Sequence, residues 1–352
     1  MNASAATGWL DRLRAIEELE DAPLDATLLA EFERRQSAVV SRDIRFSTPT
    51  FKAYSGCDVD GCSRNAFPAF SVTAGGCALM CDHCQAKILD PMIPATSPAM
   101  LDRKVRDLVA AQDLRGFLLS GGSNRRNEVR YERFFPTIEK LKRDFPYLRI
   151  AVHSALLDEP RARMMESAGV DTAMMDVIGA QETIRDVYHL ERPVDDFEST
   201  LAALTATSME VVPHIVIGLH YGRIVGEHRA LDIVSRYPVH SLVLVVVMPF
   251  YAKPGTFETP RTEDVGRIFI EARSRIADRE VLLGCARPPG MHRRVTDAYA
   301  VAAGLDGIAF PADGTLAVAH ALGRPVVQEH ACCSIKTGRT IRIHPRTAVT
   351  AS

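Results

Sequence analysis

Eight short apolar runs recur along most of the chain, at 68–74, 116–120, 148–153, 172–178, 211–217, 241–248, 281–285 and 306–310. The runs are continuous rather than alternating, which marks strands buried on both faces and hence a parallel sheet. Helix-forming stretches separate them, near 98–111, 128–143, 159–168, 181–189 with 195–205, 226–235, 261–278, 291–303 and 313–322. Such alternation predicts an α/β fold, a (β/α)8 TIM-type barrel over 68–323. A doubly wound open sheet is the alternative, because alternation alone does not enforce closure. In a barrel the loops after the strands share one face, and chemistry collects there.

Residues 1–43 precede this pattern as a helical extension. Leu10, Leu13, Ile16 and Leu19 fall at three-residue spacing, and Leu24, Leu28, Leu29 and Phe32 follow Pro23. Two amphipathic helices within 9–40 are therefore expected to cap the main domain. A tail, 324–352, follows the last unit. Lys and Arg total 42 against 44 Asp and Glu, a net charge of -2, which does not point to a nucleic-acid partner. No run approaches the roughly 20 apolar residues of a membrane span. Met1–Leu10 lacks the basic start and apolar core of a signal peptide. A cytoplasmic protein with neither membrane nor nucleic acid as partner is expected.

The eight cysteines fall in clusters: Cys57 and Cys62; Cys77, Cys81 and Cys84; Cys285; Cys332 and Cys333. The central set reads Cys77-Ala78-Leu79-Met80-Cys81-Asp82-His83-Cys84 and directly follows the first strand. Thiolates are soft ligands that suit zinc or iron–sulfur chemistry. Three close thiols admit a zinc site completed from elsewhere, inert buried cysteines, or a cluster with one iron left open.

This C-x3-C-x2-C pattern, ending Asp82-His83-Cys84, resembles that of the radical S-adenosylmethionine (SAM) enzymes. The resemblance spans about 55–335 and implies a radical SAM barrel. Cys77, Cys81 and Cys84 would hold a 4Fe-4S cluster, with His83 beside it, and SAM would occupy the open iron. The reduced cluster would cleave SAM to methionine and a 5'-deoxyadenosyl radical. Further expected cofactor contacts follow the strands. Gly121-Gly122-Ser123 resembles the glycine-rich segment that holds the methionyl amine, with Ser123 where an acidic residue is usual. His153 and Asp176 stand at strand ends that contact SAM carboxylate and ribose, and Arg185 offers a donor fork to the carboxylate. Gly222, Ile224 and Gly226 resemble the adenine-binding segment, although Glu227 falls too early for its usual acidic position.

Five cysteines remain. Cys57 and Cys62 lie in an irregular segment, 44–67, assigned to an auxiliary cluster. Cys285 ends the seventh strand, and Cys332-Cys333-Ser334 lies in a tail expected to fold over the barrel mouth. Together they imply an auxiliary iron–sulfur cluster, 4Fe-4S in type, whose sulfide could capture a carbon radical. The sulfur-inserting relatives are lipoyl synthase, resembled through the early C-x4-C element, and biotin synthase, resembled through the full barrel. Pro68 stands where lipoyl synthase has a third early cysteine, and the usual Arg-Ser-Ser-Tyr ending is absent, so a divergent two-component lipoyl synthase subunit is the nearest match.

The implied reaction is sulfur insertion into an unactivated C–H bond of a protein-bound octanoyl chain. Implied partners are an octanoylated lipoyl carrier domain or H protein, a second radical SAM subunit, a flavodoxin or ferredoxin reductant, and iron–sulfur assembly proteins. The competing readings are a biotin synthase-like enzyme, another radical SAM maturase, and a non-catalytic metal-binding partner subunit. Met248-Pro249-Phe250-Tyr251 reads as a substrate-facing loop. Arg223, Arg287, His292 and Arg293 are candidates for carboxylate or carrier contact.

Overall fold

In the chain's structure, a computed structural model, residues 8–36, 43–48, 66–111, 114–336, 338 and 340–343 are described. Helices α1 (Trp9–Arg14) and α2 (Ala26–Gln36) come first, then strands β1 (Ile44–Ser47), β2 (Ala69–Ser71) and β3 (Ile93–Pro94). Regular alternation follows: α3 (Pro98–Ala110), β4 (Gly116–Ser120), α4 (Phe135–Asp144), β5 (Arg149–His153), α5 (Glu159–Ser167) and β6 (Thr172–Asp176). Two helices, α6 (Gln181–Asp186) and α7 (Val194–Thr205), lead to β7 (Glu210–Ile217), α8 (Glu227–Ser235) and β8 (Ser241–Val246). The chain continues through α9 (Thr262–Arg275), β9 (Glu280–Leu283), α10 (Met291–Ala302), β10 (Gly307–Ala309) and α11 (Thr315–Ala321), and ends in β11 (Val326–Glu329) and β12 (Thr340–Ile343). Local chemistry sets several helix starts. Ser97 accepts from the Met100 N–H and Asp158 from the Arg161 N–H, each just before a proline in the first turn.

All eight expected strands form, as β2 and β4–β10. They lie side by side in a curled α/β sheet ordered β12-β11-β1-β10-β9-β8-β7-β6-β5-β4-β2-β3. Every pairing is parallel except that of β11 with β12. The sheet is an open half-barrel. The free edge of β10 takes β1, in the register Arg45↔Gly307, and β2 takes β3, Phe70↔Ile93, so the first and eighth strands do not pair. Ile44 and Phe46 of β1 are fully buried there, which gives this four-residue strand its reason to join the sheet. It lies in the segment expected to be irregular, where its brevity hides it.

Alternate strand residues serve two cores. Phe117, Leu119, Ile150, Val152, Ile215 and Ile217 belong to the larger core together with helix residues such as Leu101 and Ile138. Ala151, Met174, Val212, Val243, Leu282 and Ala309 form the inner core, and the tail residues Ala331, Cys333 and Ile335 pack among them. The N-terminal helices cap the outside, with α2 against α9 and α10. The Asp25 N–H donates to Tyr299 Oη at 2.8 Å, and Phe32 meets the Tyr299 ring at 5.7 Å.

Candidate functional site

The three central thiols sit on the loop after β2, which is held in a strained form. Ala74, Met80, Gln85 and Ala86 all have positive φ, between 46° and 58°, a region that disfavours side chains. The Gly121-Gly122-Ser123 segment grips this loop. A Cβ on Gly122 would lie 2.0 Å from Gly76 O and 2.6 Å from Cys77 Cα, so the two backbones touch only because that residue is glycine. The Gly122 N–H donates to Thr73 Oγ1 at 2.7 Å, and the Ala78 N–H donates to Ser123 O at 2.8 Å.

From the other side the loop is held by Asp82, which is buried. Its N–H donates to Val187 O, and its carbonyl accepts from the Lys253 N–H. Its carboxylate meets His189 Nε2 at 3.0 Å and accepts from Tyr221 Oη at 3.2 Å. His189 and Tyr221 both have positive φ, 54° and 55°.

Cys77, Cys81 and Cys84 open on a cavity of about 320 Å3, and so do Cys285, Cys332 and Cys333. Every cysteine among the described residues therefore faces one space. None is in a disulfide. Cys57 and Cys62 lie outside the described residues. Among the described residues no three His, Cys, Asp or Glu side chains converge as a site for a single metal ion. The thiols instead line a space with room for a multi-iron group.

Burial, and then the neighbouring Cys84 and Cys77, pushes the Cys81 thiol well up; burial pushes Cys84 to about 11. Buried thiols that repel one another as anions suit a group that neutralises them. Two polar atoms point to the same conclusion. His83 Nδ1 and Tyr188 Oη are buried without a hydrogen-bond partner, and their rings stack at 5.1 Å beside the cysteines. His83 keeps a partly open edge on the cavity, yet protein surrounds it densely enough that burial lowers its pKa to about 4. Burial first, then Asp176 and the three thiols, raises the Tyr188 phenol well above its ordinary value. Soft donors and orphaned polar groups on one cavity fit an iron–sulfur cluster with a polar co-ligand.

His153 and Asp176 line this cavity, with His153 Nε2 3.7 Å from Asp176 Oδ1. Beside them stands His214, its ring 5.3 Å from His153 and its Nδ1 3.1 Å from Val212 O. Burial, and then His153, lowers the His214 pKa to about 4. Arg185 lies elsewhere, exposed and paired with Asp186 at 2.7 Å. Gly222, Ile224 and Gly226 are also absent from the cavity wall. The two glycines serve packing: a Cβ would lie 2.4 Å from Glu258 O at Gly222 and 2.6 Å from Ala180 N at Gly226. The early Glu227 organises that loop, its buried carboxylate accepting from the N–H groups of Gly218, Val225 and Gly226.

Arg287, behind the cavity-lining Gly284–Ala286 segment, is fully buried and forked onto Asp297, with bonds of 2.6 and 3.0 Å, and it also donates to Gly284 O, Ala309 O and Phe310 O. Its donors are consumed in joining the ends of β9 and β10, so it corrects the expectation of a substrate-carboxylate contact. His292 is likewise engaged, with Pro260 O at 2.9 Å. The tail is anchored as it crosses the lumen: Arg45 donates to Cys333 O at 3.1 Å, and Lys336 pairs with Glu280 at 2.9 Å. Cys332 and Cys333 are neighbouring thiols whose interaction holds Cys332 down and pushes Cys333 up, with burial adding to the rise of Cys333.

Tyr188, His214, His189 and Tyr221 escaped the sequence reading, and Glu227 entered it only as an acidic residue too early in its segment. Only His214 carried a usable signal, being two residues from Val212 and Val216 on a strand and so on their face.

An open half-barrel with three thiols on the loop after its first main strand defines a class. The family model for the Radical SAM superfamily matches residues 71–233, so this segment of the chain is similar to that superfamily. The match supports a general iron–sulfur and SAM cofactor role for that segment. Among solved structures it is similar to HydG, a maturase of the [FeFe]-hydrogenase, at 12% identity and a TM-score of 0.56, over 86% of this chain and 68% of that one. HydG from Carboxydothermus hydrogenoformans gives 15% and 0.51, over 80% and 62%. Methylornithine synthase (PylB) gives 11% and 0.52, over 86% and 81%. At these identities the likeness is one of fold. No curated protein sequence matches. Among the described residues no helix is long and apolar enough to cross a membrane.

Proposed function

We propose that the chain is a radical SAM sulfurtransferase that inserts sulfur into an unactivated C–H bond of a protein-bound octanoyl chain. The observation that carries this reading is the single cavity shared by Cys77, Cys81 and Cys84 with Cys285, Cys332 and Cys333. Two thiol sets on one space support two iron–sulfur groups within reach of one substrate. When bound, the first group supplies the electron that splits SAM to the 5'-deoxyadenosyl radical, and the second supplies sulfide.

The chain's own residues would do the rest. Cys77, Cys81 and Cys84 would hold the first group. Asp176 and His153 offer acceptor and donor to a hydroxylated or charged co-ligand. Leu118, Met175, Val243, Val245 and Val247 give the cavity an apolar wall that suits an alkyl chain and excludes water. Cys285, Cys332 and Cys333, with Cys57 and Cys62, are the pool from which the auxiliary ligands come. An octanoylated lipoyl carrier domain or H protein would deliver the chain, a flavodoxin or ferredoxin the electron, and assembly proteins the clusters. A second radical SAM subunit would share the two insertions.

The test is anaerobic reconstitution followed by turnover with SAM, reductant and an octanoylated lipoyl-domain peptide. A mass gain of one or two sulfur atoms on the peptide is the expected result. Deoxyadenosine without sulfur on that peptide would leave radical chemistry in place and remove this substrate.

A further inference from the structure

Tyr188 stands at the centre of the thiol loop's support without taking part in it. Its neighbours on either side both hold Asp82: Val187 O accepts the Asp82 N–H at 2.9 Å, and His189 Nε2 meets the Asp82 carboxylate at 3.0 Å. Asp82 lies between Cys81 and His83, so three consecutive residues, 187–189, are fixed against the cysteine motif. The Tyr188 ring is clamped on the His83 ring at 5.1 Å with an interplanar angle of 29°. The side chain is 5% exposed, its hydroxyl has no partner, and it lines the cavity with all three thiols.

A buried phenol without an acceptor is disfavoured. Its counterpart Tyr131 shows the usual solution, since that hydroxyl donates to His153 O at 2.8 Å. Tyr188 has no such outlet, and the groups that act on it across the cavity are the potential anions Asp176, Cys81, Cys84 and Cys77. We infer that Tyr188 is a cofactor-contacting residue whose hydroxyl donates a hydrogen bond to a sulfur of the group held by Cys77, Cys81 and Cys84. This rests on the reading of that site as a radical SAM cluster. A hydrogen bond to cluster sulfur stabilises the more negative, reduced state and so raises the reduction potential. The tyrosine would thereby ease delivery of the electron that SAM cleavage needs.

The experiment is a redox titration, followed by electron paramagnetic resonance, of the reconstituted full chain and of Tyr188→Phe. The signal of interest is the one whose line shape responds to SAM. Phe keeps the ring and its stack on His83 and removes only the donor. The expected result is unchanged iron content and a potential lowered so that the reduction equilibrium shifts about tenfold, about 59 mV for one electron. Incorporation of 3-fluorotyrosine at position 188, a stronger donor of nearly equal size, should move the potential the other way. That variant decides the matter if Tyr188→Phe loads iron poorly. An unchanged potential in the loaded variants overturns the inference, including the case where only SAM affinity weakens, for the hydroxyl would then serve SAM. Wild-type protein that forms no SAM-responsive cluster would overturn the proposed function itself, a result distinct from an unmoved potential.

Discussion

Asp82 and His189, 107 residues apart, meet through Oδ1 and Nε2 at 3.0 Å, and His189 takes a φ of 54° at that point. The carboxylate between two motif cysteines is thus engaged in holding the loop, and Tyr221 completes the clamp from a second strained position. Strain of this kind persists where surrounding contacts overdetermine it.

Replacing Asp82 by Ala should release the loop. A buried, charge-assisted hydrogen-bond set is worth about 1.5–3 kcal/mol, and urea unfolding of the metal-free protein should register a loss of that order. Iron retained per chain after reconstitution should fall with it. Asp82→Asn, which keeps one acceptor, should lie between.

Gly122→Ala tests the contact between the two loops. Its methyl would fall on Gly76 O at 2.0 Å, and backbone cannot yield as a flexible side chain can. An overpacking cost of about 1–3 kcal/mol is expected. The sharper sign would be loss of iron loading at temperatures where circular dichroism still shows the folded chain.

Arg287→Met leaves Asp297 charged and uncompensated in the interior. Breaking a buried pair in this way costs about 3–5 kcal/mol, readable as a lower denaturation midpoint. The double change Arg287→Met with Asp297→Leu should recover part of that loss, because no lone charge remains.

Alanine at Cys285, Cys332 and Cys333 together should separate the two thiol sets. Deoxyadenosine formation should persist, iron should fall from about eight to about four atoms per chain for a loss of one cubane, and sulfur transfer should cease. Loss of deoxyadenosine formation in a variant that keeps its SAM-responsive cluster would mean that the far set also serves the first step.

His214 gives a pH dependence with a definite sign. Its folded pKa, held to about 4 by burial and then by His153, lies below the ordinary 6.5. The unfolded state therefore binds the proton more readily, and stability falls as pH drops from 6.5 through 4. Thermal melts across that window should show a slope that His214→Phe reduces by up to one proton.

Much of the fold was legible because its signals are local. Each of the eight strands carries a continuous apolar run, and such a run needs burial on both faces whatever its neighbours are. The C-x3-C-x2-C spacing is equally local: it sets three thiols on one short loop. The open edge was not legible, because β1 has only four residues and finds its place by pairing with Gly307 and Val326, far along the chain. The same reason separates the expected role of Arg287 from the observed one. An arginine reads as ligand-facing until the carboxylate packed against it is known.

By itself, then, the amino-acid order determined the strand–helix alternation, the barrel-like class and the gathering of the central thiols on one loop, since these depend on residue type and short spacing. Tertiary structure alone decided that Cys285, Cys332 and Cys333 share a cavity with those thiols, that His214 stands beside His153, and that Tyr188 is left without a partner. Contacts between distant segments arise when sheet curvature and buried pairings bring them together, and short-range sequence periodicity does not encode that convergence.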